Sequence, residues 1–384
     1  MTGLDVAGVI NDPQTRIVIC CGSGGVGKTT TSAALAVRAA ESGRRVVVLT
    51  IDPARRLAQS LGVEQLDNTP RPVHGIDTSD GGSLDAMMLD MKRTFDEVVS
   101  DHATPDKAAA IFANPFYQAL STSFSGTQEY MAMEKLGQLS AQAEADDRWD
   151  LIIVDTPPSR SALDFLDAPE HLASLLDGRF LRLLLTPAKG PLRLMGVGFN
   201  LVYSAMERIL GAQVITDVKT FAAAFETLFG AFRARAERTL ALLGTSSTTF
   251  LVVATPEPDA LREASFFVDR LTESGLPLSG LVVNRTHGSE LEISAERALA
   301  LAEDLEPDAD TPNGRTSSRY PSPEIAALRR HADRMRLIER EQRLLARFSS
   351  SRPDVALRSV PALPGDVTDL AALRLLGSAL ADEN

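Results

Sequence analysis

Residues Gly22–Thr29 read GSGGVGKT and satisfy the phosphate-loop spacing Gly-x-x-x-x-Gly-Lys-[Ser/Thr]. Glycines in that pattern let successive backbone N–H groups close around phosphate oxygens, and a helix N-terminus behind them favours negative charge. The spacing predicts that Lys28 reaches the β- and γ-phosphates of a nucleoside triphosphate and that the Thr29 hydroxyl ligates magnesium. The cradle runs through Gly22, Ser23, Gly24, Gly25, Val26, Gly27, Lys28, Thr29 and Thr30. A chance glycine turn would not need the apolar run before it or the helical run after it, and this loop has both. Two carboxylates could complete the site. Asp155 follows the apolar run DLIIV, at a strand tip where a Walker-B carboxylate holds the magnesium shell directly or through water. Asp52 follows RVVVLTI in the run TIDPARRL, with Pro53 limiting the freedom of the loop. Its carboxylate suits two tasks, positioning an attacking water or capping a helix over Ala54–Leu61, and spacing alone leaves both open.

These side chains need a sheet to hold them. Arg16–Cys21 (RIVICC) reads as the strand before the loop and Lys28–Ala40 as the helix after it. Further apolar runs at Arg45–Ile51, Ala86–Met91, Asp150–Val154, Thr249–Ala254, Leu278–Asn284 and Val355–Val360 suit strands buried on both faces. Helical segments separate them, so the predicted class is α/β, a doubly wound, mainly parallel P-loop NTPase sheet with an inserted helical subdomain. Two long helical segments, 92–147 and 169–244, interrupt the rhythm. Within the second, Val214, Val218, Phe221, Phe225, Leu228 and Phe232 recur at alternating spacings of four and three, one face of a long amphipathic helix. Glu306–Pro323 is rich in Pro, Ser, Thr and Asp and reads as a mobile loop inside the domain. No internal repeat is visible, so one domain over residues 1–384 is expected rather than a tandem of two.

A chain of 384 residues with 44% hydrophobic content can bury a large core, and its net charge of -12 argues against a nucleic-acid surface of clustered Lys and Arg. Cys20 and Cys21 are adjacent on the first strand and form neither a disulfide framework nor a metal-ligand spacing, so a reducing cytoplasm fits. Met1–Pro13 lacks the apolar core of a secretory leader. The apolar stretch Leu194–Met206, interrupted by Asn200, is too short to span a bilayer, which leaves at most peripheral membrane association. His74, His102, His171, His287 and His331 show no metal-ligand spacing. The pairs Arg44-Arg45 and Arg329-Arg330 read as solvated charges, whereas Arg55 and Arg56 follow Asp52 directly and could face phosphate or a partner.

Taken together, the motifs resemble the ArsA-type ATPases, the family of the arsenite-pump ATPase and the tail-anchored-protein targeting ATPases, within the deviant-Walker-A class. The resemblance rests on GSGGVGKTT, on Asp52-Pro53-Ala54 as a first switch and on Asp155–Leu166 (DTPPSRSALDFL) as a second. Thr248–Leu271 and Leu281–Arg285 (LVVNR) follow the family's nucleotide-base region. It implies a magnesium-dependent dimeric ATPase that switches between open and closed dimers. Asp52 and Lys28 would be its catalytic residues, with Thr29 and Asp155 at the magnesium. Glu257, Asn284 and Pro361 would lie at the nucleoside, with the Pro361–Gly365 loop closing over the base. Asn284 offers an amide suited to adenine's edge, and a strand-end amide can also satisfy local backbone.

Three positions depart from the family pattern. Ser23 stands where the family usually has a lysine that reaches the partner subunit's phosphates, and a hydroxyl cannot replace an ammonium there. Ser159-Arg160-Ser161-Ala162 replaces the usual Thr-Gly-His-Thr of the second switch. No Cys-x-x-Cys follows Asn284, so no zinc clasp is implied, and the cysteines of the family's anion site are absent, which makes arsenite a poor ligand. The resemblance with Ser23 implies a homodimer or, ahead of it, a heterodimer with a lysine-bearing paralogous ATPase. The alternative is a slowly hydrolysing regulatory or chaperone subunit. The Val214–Phe232 stripe, with Leu192–Leu210, could line a groove for a hydrophobic helical client, and ordinary core packing is the favoured reading.

Overall fold

Short unbroken runs of branched apolar residues favour strands covered on both faces. Such runs build the sheet of the computed structural model, which describes residues 3–115, 117–118, 121, 127–157, 234–306 and 322–381. In chain order the strands are β1 Ile17–Cys21, β2 Arg45–Thr50, β3 Arg71–Pro72, β4 Ser83–Met88, β5 Leu151–Asp155, β6 Thr248–Ala254, β7 Leu278–Thr286 and β8 Leu357–Pro361. Among the described residues they form one eight-stranded sheet in the order β3-β4-β2-β5-β1-β6-β7-β8. The pairings are parallel except that of β3 with β4. β1 lies between β5 and β6, with Ile17 opposite Ile152 on one side and Thr248 on the other. The α/β, mainly parallel class expected from the sequence is the class observed.

The helices are α1 Val6–Asn11, α2 Lys28–Glu41, α3 Arg56–Ser60, α4 Met91–His102, α5 Pro105–Phe112, α6 Thr127–Asp146, α7 Pro258–Glu273, α8 Ala295–Asp304, α9 Pro323–Ser351 and α10 Leu370–Ala381. Residues 234–243 are helical as well. α2 packs on β1, β2 and β5 and against α10, while α7 packs on β6 and β7. β1, β5 and β6 are therefore buried along their whole length. Each buried Val, Ile or Leu there contributes roughly 1.5–3 kcal/mol.

Element ends differ from expectation for local reasons. The run Ala86–Met91 is strand only to Met88, because Asp90 caps α4 by accepting the Arg93 N–H at 2.9 Å. The two-residue β3 carries a proline and no apolar alternation, so nothing local marked it. Arg44 also differs, since it is a buried staple and not a solvated charge. Its guanidinium donates to the carbonyls of Ile10 (3.0 Å), Asp12 (2.7 Å), Thr15 (2.8 Å) and Asp150 (2.6 Å). It thereby ties the chain's first turns to the start of β2.

α4 and α6 pack against each other beside the sheet, with Lys135 paired to Glu97 at 2.7 Å. At the start of α6, Gln128 Nε2 donates to the Ile51 carbonyl at 2.9 Å, so this helix touches the residue before Asp52. Several expectations fall outside the described residues: the second-switch run Ser159–Ala162, the Leu192–Leu210 and Val214–Phe232 stretches, His171, and most of the 306–323 loop. Among the described residues no helix is long and apolar enough to cross a membrane.

Candidate active site

Two glycines show how tightly the loop after β1 is threaded. Gly22 (φ +146°) has the Val253 carbonyl oxygen 2.2 Å from where a Cβ would stand, so β6 leaves no room for a side chain. Gly27 (φ +95°) is the N-cap of α2, and a Cβ there would lie 2.3 Å from Asn284 Nδ2. Lys28 follows as the first residue of α2, 5% exposed, and its ammonium donates to the Ser23 carbonyl at 2.8 Å. Burial lowers the Lys28 pKa, while the neighbouring Asp155, Cys21 and Asp52 work in the opposite direction. The thiols beneath are inert packing groups: burial pushes Cys20 up to about 12 and raises Cys21 as well.

Asp155 ends β5 with 0% exposure. Its Oδ2 accepts the Thr50 hydroxyl at 2.8 Å, whereas its Oδ1 is buried without a hydrogen-bond partner. Burial raises its pKa from 3.8 to about 6, against the lowering influence of the Thr29 and Thr50 hydroxyls and of Lys28. A buried carboxylate with a spare oxygen is costly unless a cation arrives. A carboxylate beside the Thr29 hydroxyl is also the hard-oxygen donor set that suits magnesium. The residues present fit that ion.

Asp52 lies just past β2, half-buried. Its Oδ1 accepts the Ala54 N–H at 2.9 Å and its own N–H donates to Thr50 Oγ1 at 3.2 Å. α3 starts only at Arg56, with Arg55 as an N-cap that makes no side-chain bond. Asp52 thus closes an Asx turn and does not cap the helix, which sets aside the capping alternative.

These elements enclose a cleft of about 920 Å³. Gly25, Gly27, Lys28, Thr29 and Thr30 line its floor, and Asp52, Arg56, Gln59 and Ser60 line one wall. Asn284, Arg285 and the stretch from Pro361 to Thr368 also border it. Of the residues singled out in the sequence, the cleft brings together Gly25, Gly27, Lys28, Thr29, Thr30, Asp52, Asn284 and Pro361. Asp155 is buried close to Lys28, Thr29 and Asp52, as their effects on its carboxyl show. Glu257 is exposed at the N-cap of α7 and does not border the cleft, nor do Gly22, Ser23, Gly24 and Val26 of the loop. The Asn284 amide is engaged by backbone, donating to Val26 O at 3.0 Å and accepting the Arg285 N–H at 2.9 Å, so both readings of this residue apply. Sequence reasoning missed Gln59, Ser60 and the residues beyond Gly365, and it took Arg285 only as the end of the Leu281–Arg285 run. For Gln59 and Ser60 the signal was their helical spacing of three and four from Arg56.

The family described as anion-transporting ATPase matches residues 15–296, well over half of the chain. The chain belongs to the ArsA-type ATPase family. The ATPase is 25% identical to ATPase GET3 of Malassezia globosa, over 72% of this chain and 74% of that protein. It is 26% identical to ATPase GET3 of Ajellomyces dermatitidis, over 76% and 79%, and 24% identical to ATPase ASNA1 homolog 2 of Paramecium tetraurelia, over 72% and 78%. The ATPase binds and hydrolyses ATP, as the resemblance of its motifs implies.

Proposed function

We propose that the ATPase binds ATP with magnesium in the cleft between the phosphate loop and the Pro361–Thr368 loop, and that hydrolysis there switches a dimer between two states. One observation carries the reading: Lys28, Thr29 and Asp52 border a single cleft, with the buried, half-satisfied Asp155 among them. Lys28 neutralises the β- and γ-phosphates, having only one of its three donors on Ser23. Thr29 and Asp155 hold the magnesium, which offsets phosphate charge when bound. Asp52, with one oxygen fixed by its Asx turn, positions the attacking water. Asn284 and Pro361 border the nucleoside.

Ser23 supports a second feature of the proposal. With no ammonium at that position, a homodimer would lack the charge that the family's lysine donates across the dimer. The physiological partner is then a paralogue that retains the lysine, and the isolated chain hydrolyses slowly, as a regulatory or chaperone subunit would. Arg56 borders the cleft with Asp52 and is a candidate substitute in the chain itself, whereas Arg55 does not border the cleft.

Asp52→Asn separates this reading from a purely structural one. A water-positioning carboxylate contributes to the transition state more than to ground-state phosphate contacts. ATP affinity by calorimetry should stay within a few-fold, about 1 kcal/mol, while phosphate release falls on the order of a hundredfold. Equal losses in both would recast Asp52 as a structural or magnesium residue.

A further inference from the structure

Pro53 already restricts the backbone of Asp52 on one side, because a residue before proline is confined to extended conformations. The freedom left to Asp52 lies in the peptide that joins it to Ile51. That peptide is a rigid plane with the Ile51 carbonyl at one edge and the Asp52 N–H at the other. It stands just past Thr50, the last residue of β2, and side chains hold both of its edges. The Asp52 N–H donates to Thr50 Oγ1 at 3.2 Å, and that hydroxyl is committed in turn to Asp155 Oδ2 at 2.8 Å. The carbonyl edge takes the shorter bond, from Gln128 Nε2 at 2.9 Å.

Gln128 comes from another part of the fold, 77 residues along the chain, and its own base is fixed. It is the second residue of α6, half-buried, and residues 130–133 just after it are buried. Farther along the helix, Lys135 is tied to Glu97 of α4. Gln128 does not border the cleft, so its amide serves the protein backbone and not a bound nucleotide. Ile51, whose carbonyl it holds, is buried, and the Ile51 N–H donates to the Asp155 carbonyl at 2.9 Å. The residue between the two carboxylate-bearing turns is therefore clasped by β5 on one side and by α6 on the other.

We infer that Gln128 is a positioning residue for hydrolysis, fixing the Ile51–Asp52 peptide and through it the direction of the Asp52 carboxylate. The inference rests on Asp52 positioning the attacking water, as proposed above. A carboxylate misplaced by about 1 Å can cost on the order of a hundredfold in rate. Lys28 and Thr29 belong to a different turn, so their phosphate contacts do not depend on this peptide.

Steady-state release of phosphate from labelled ATP, with calorimetry of ATP binding, tests it on wild type, Gln128→Met, Gln128→Asn, Asp52→Asn and the double variant Asp52→Asn/Gln128→Met. Methionine keeps the length without an N–H donor, and asparagine keeps the amide one methylene short of the carbonyl. Each Gln128 variant should lose at least about tenfold in kcat, with KM and ATP affinity within about twofold of wild type. In the Asp52→Asn background, Gln128→Met should change kcat by less than about twofold, because the carboxylate it aims is gone. Wild-type kcat in the Gln128 variants would overturn the inference. So would an equal loss of ATP affinity, which would make Gln128 a support of the whole site, or an undiminished loss in the Asp52→Asn background, which would make its effect independent of Asp52. Wild-type turnover by Asp52→Asn would instead remove the water-positioning reading itself, so the two failures are distinguishable.

Discussion

Asp155 is fully buried at the end of β5, one oxygen on Thr50 and the other without a hydrogen-bond partner, and burial lifts its pKa from 3.8 to about 6. A carboxyl raised in the folded state adds stability that is fully present below its unfolded pKa and lost as pH climbs through the folded one. The size is on the order of 2–3 kcal/mol. Nucleotide-free wild type should therefore lose stability relative to Asp155→Asn between pH 3.8 and about 6, as urea unfolding across that window would show. Magnesium affinity should run the other way and fall as pH drops through about 6, since the proton competes with the ion. Parallel pH profiles for wild type and Asp155→Asn would contradict this. That Lys28, Thr29 and Asp155 come together was legible because phosphate-loop spacing and a carboxylate after an apolar run are local signals. The spacing could not tell whether Asp52 capped a helix, because that depended on where α3 starts, and the Asx turn to Ala54 settles it. Arg44 was misread because its four carbonyl partners come from Ile10, Asp12, Thr15 and Asp150, which only the fold brings together.

The turn from β1 into α2 is the element on which the cleft depends, and it was readable to within a residue or two at each end. β1, β2, β5, β6 and β7 were equally legible, because a strand covered on both faces must be apolar throughout. β3 was not, since two residues paired to β4 at an edge carry no periodic signal. The wall beyond Gly365 was missed for a similar reason: Asp366, Val367 and Thr368 border the cleft only because β8 lies beside β7. Gly27 shows what the turn demands. At φ +95° and with Asn284 Nδ2 2.3 Å from the position of a Cβ, alanine there would strain the backbone and push Asn284 off the Val26 carbonyl. Gly27→Ala should destabilise the protein by about 1–3 kcal/mol and weaken ATP binding at least about tenfold. Melting and calorimetry would check both, and wild-type values for the two would show that the turn is looser than the geometry says.

The described residues form one mainly parallel sheet whose strand ends border the cleft, as the strand ends of open α/β sheets generally do. β1 feeds the phosphate loop, β2 and β5 bring the two carboxylates from one side, and β7 and β8 bring Asn284 and the Pro361–Thr368 stretch from the other. Ser23 leaves Lys28 as the only side-chain cation of the loop Gly22–Thr29, so turnover by the pure chain is expected to be slow and to depend on this lysine. The most direct measurement is therefore magnesium-dependent phosphate release from labelled ATP, followed side by side for pure wild type and Lys28→Ala. Wild type should release phosphate with magnesium and not without it. Lys28→Ala should show no release above background, together with an ATP affinity lower by at least about tenfold, on the order of 1.4 kcal/mol. Release by Lys28→Ala at the wild-type rate would contradict the assignment of this cleft as the site of hydrolysis.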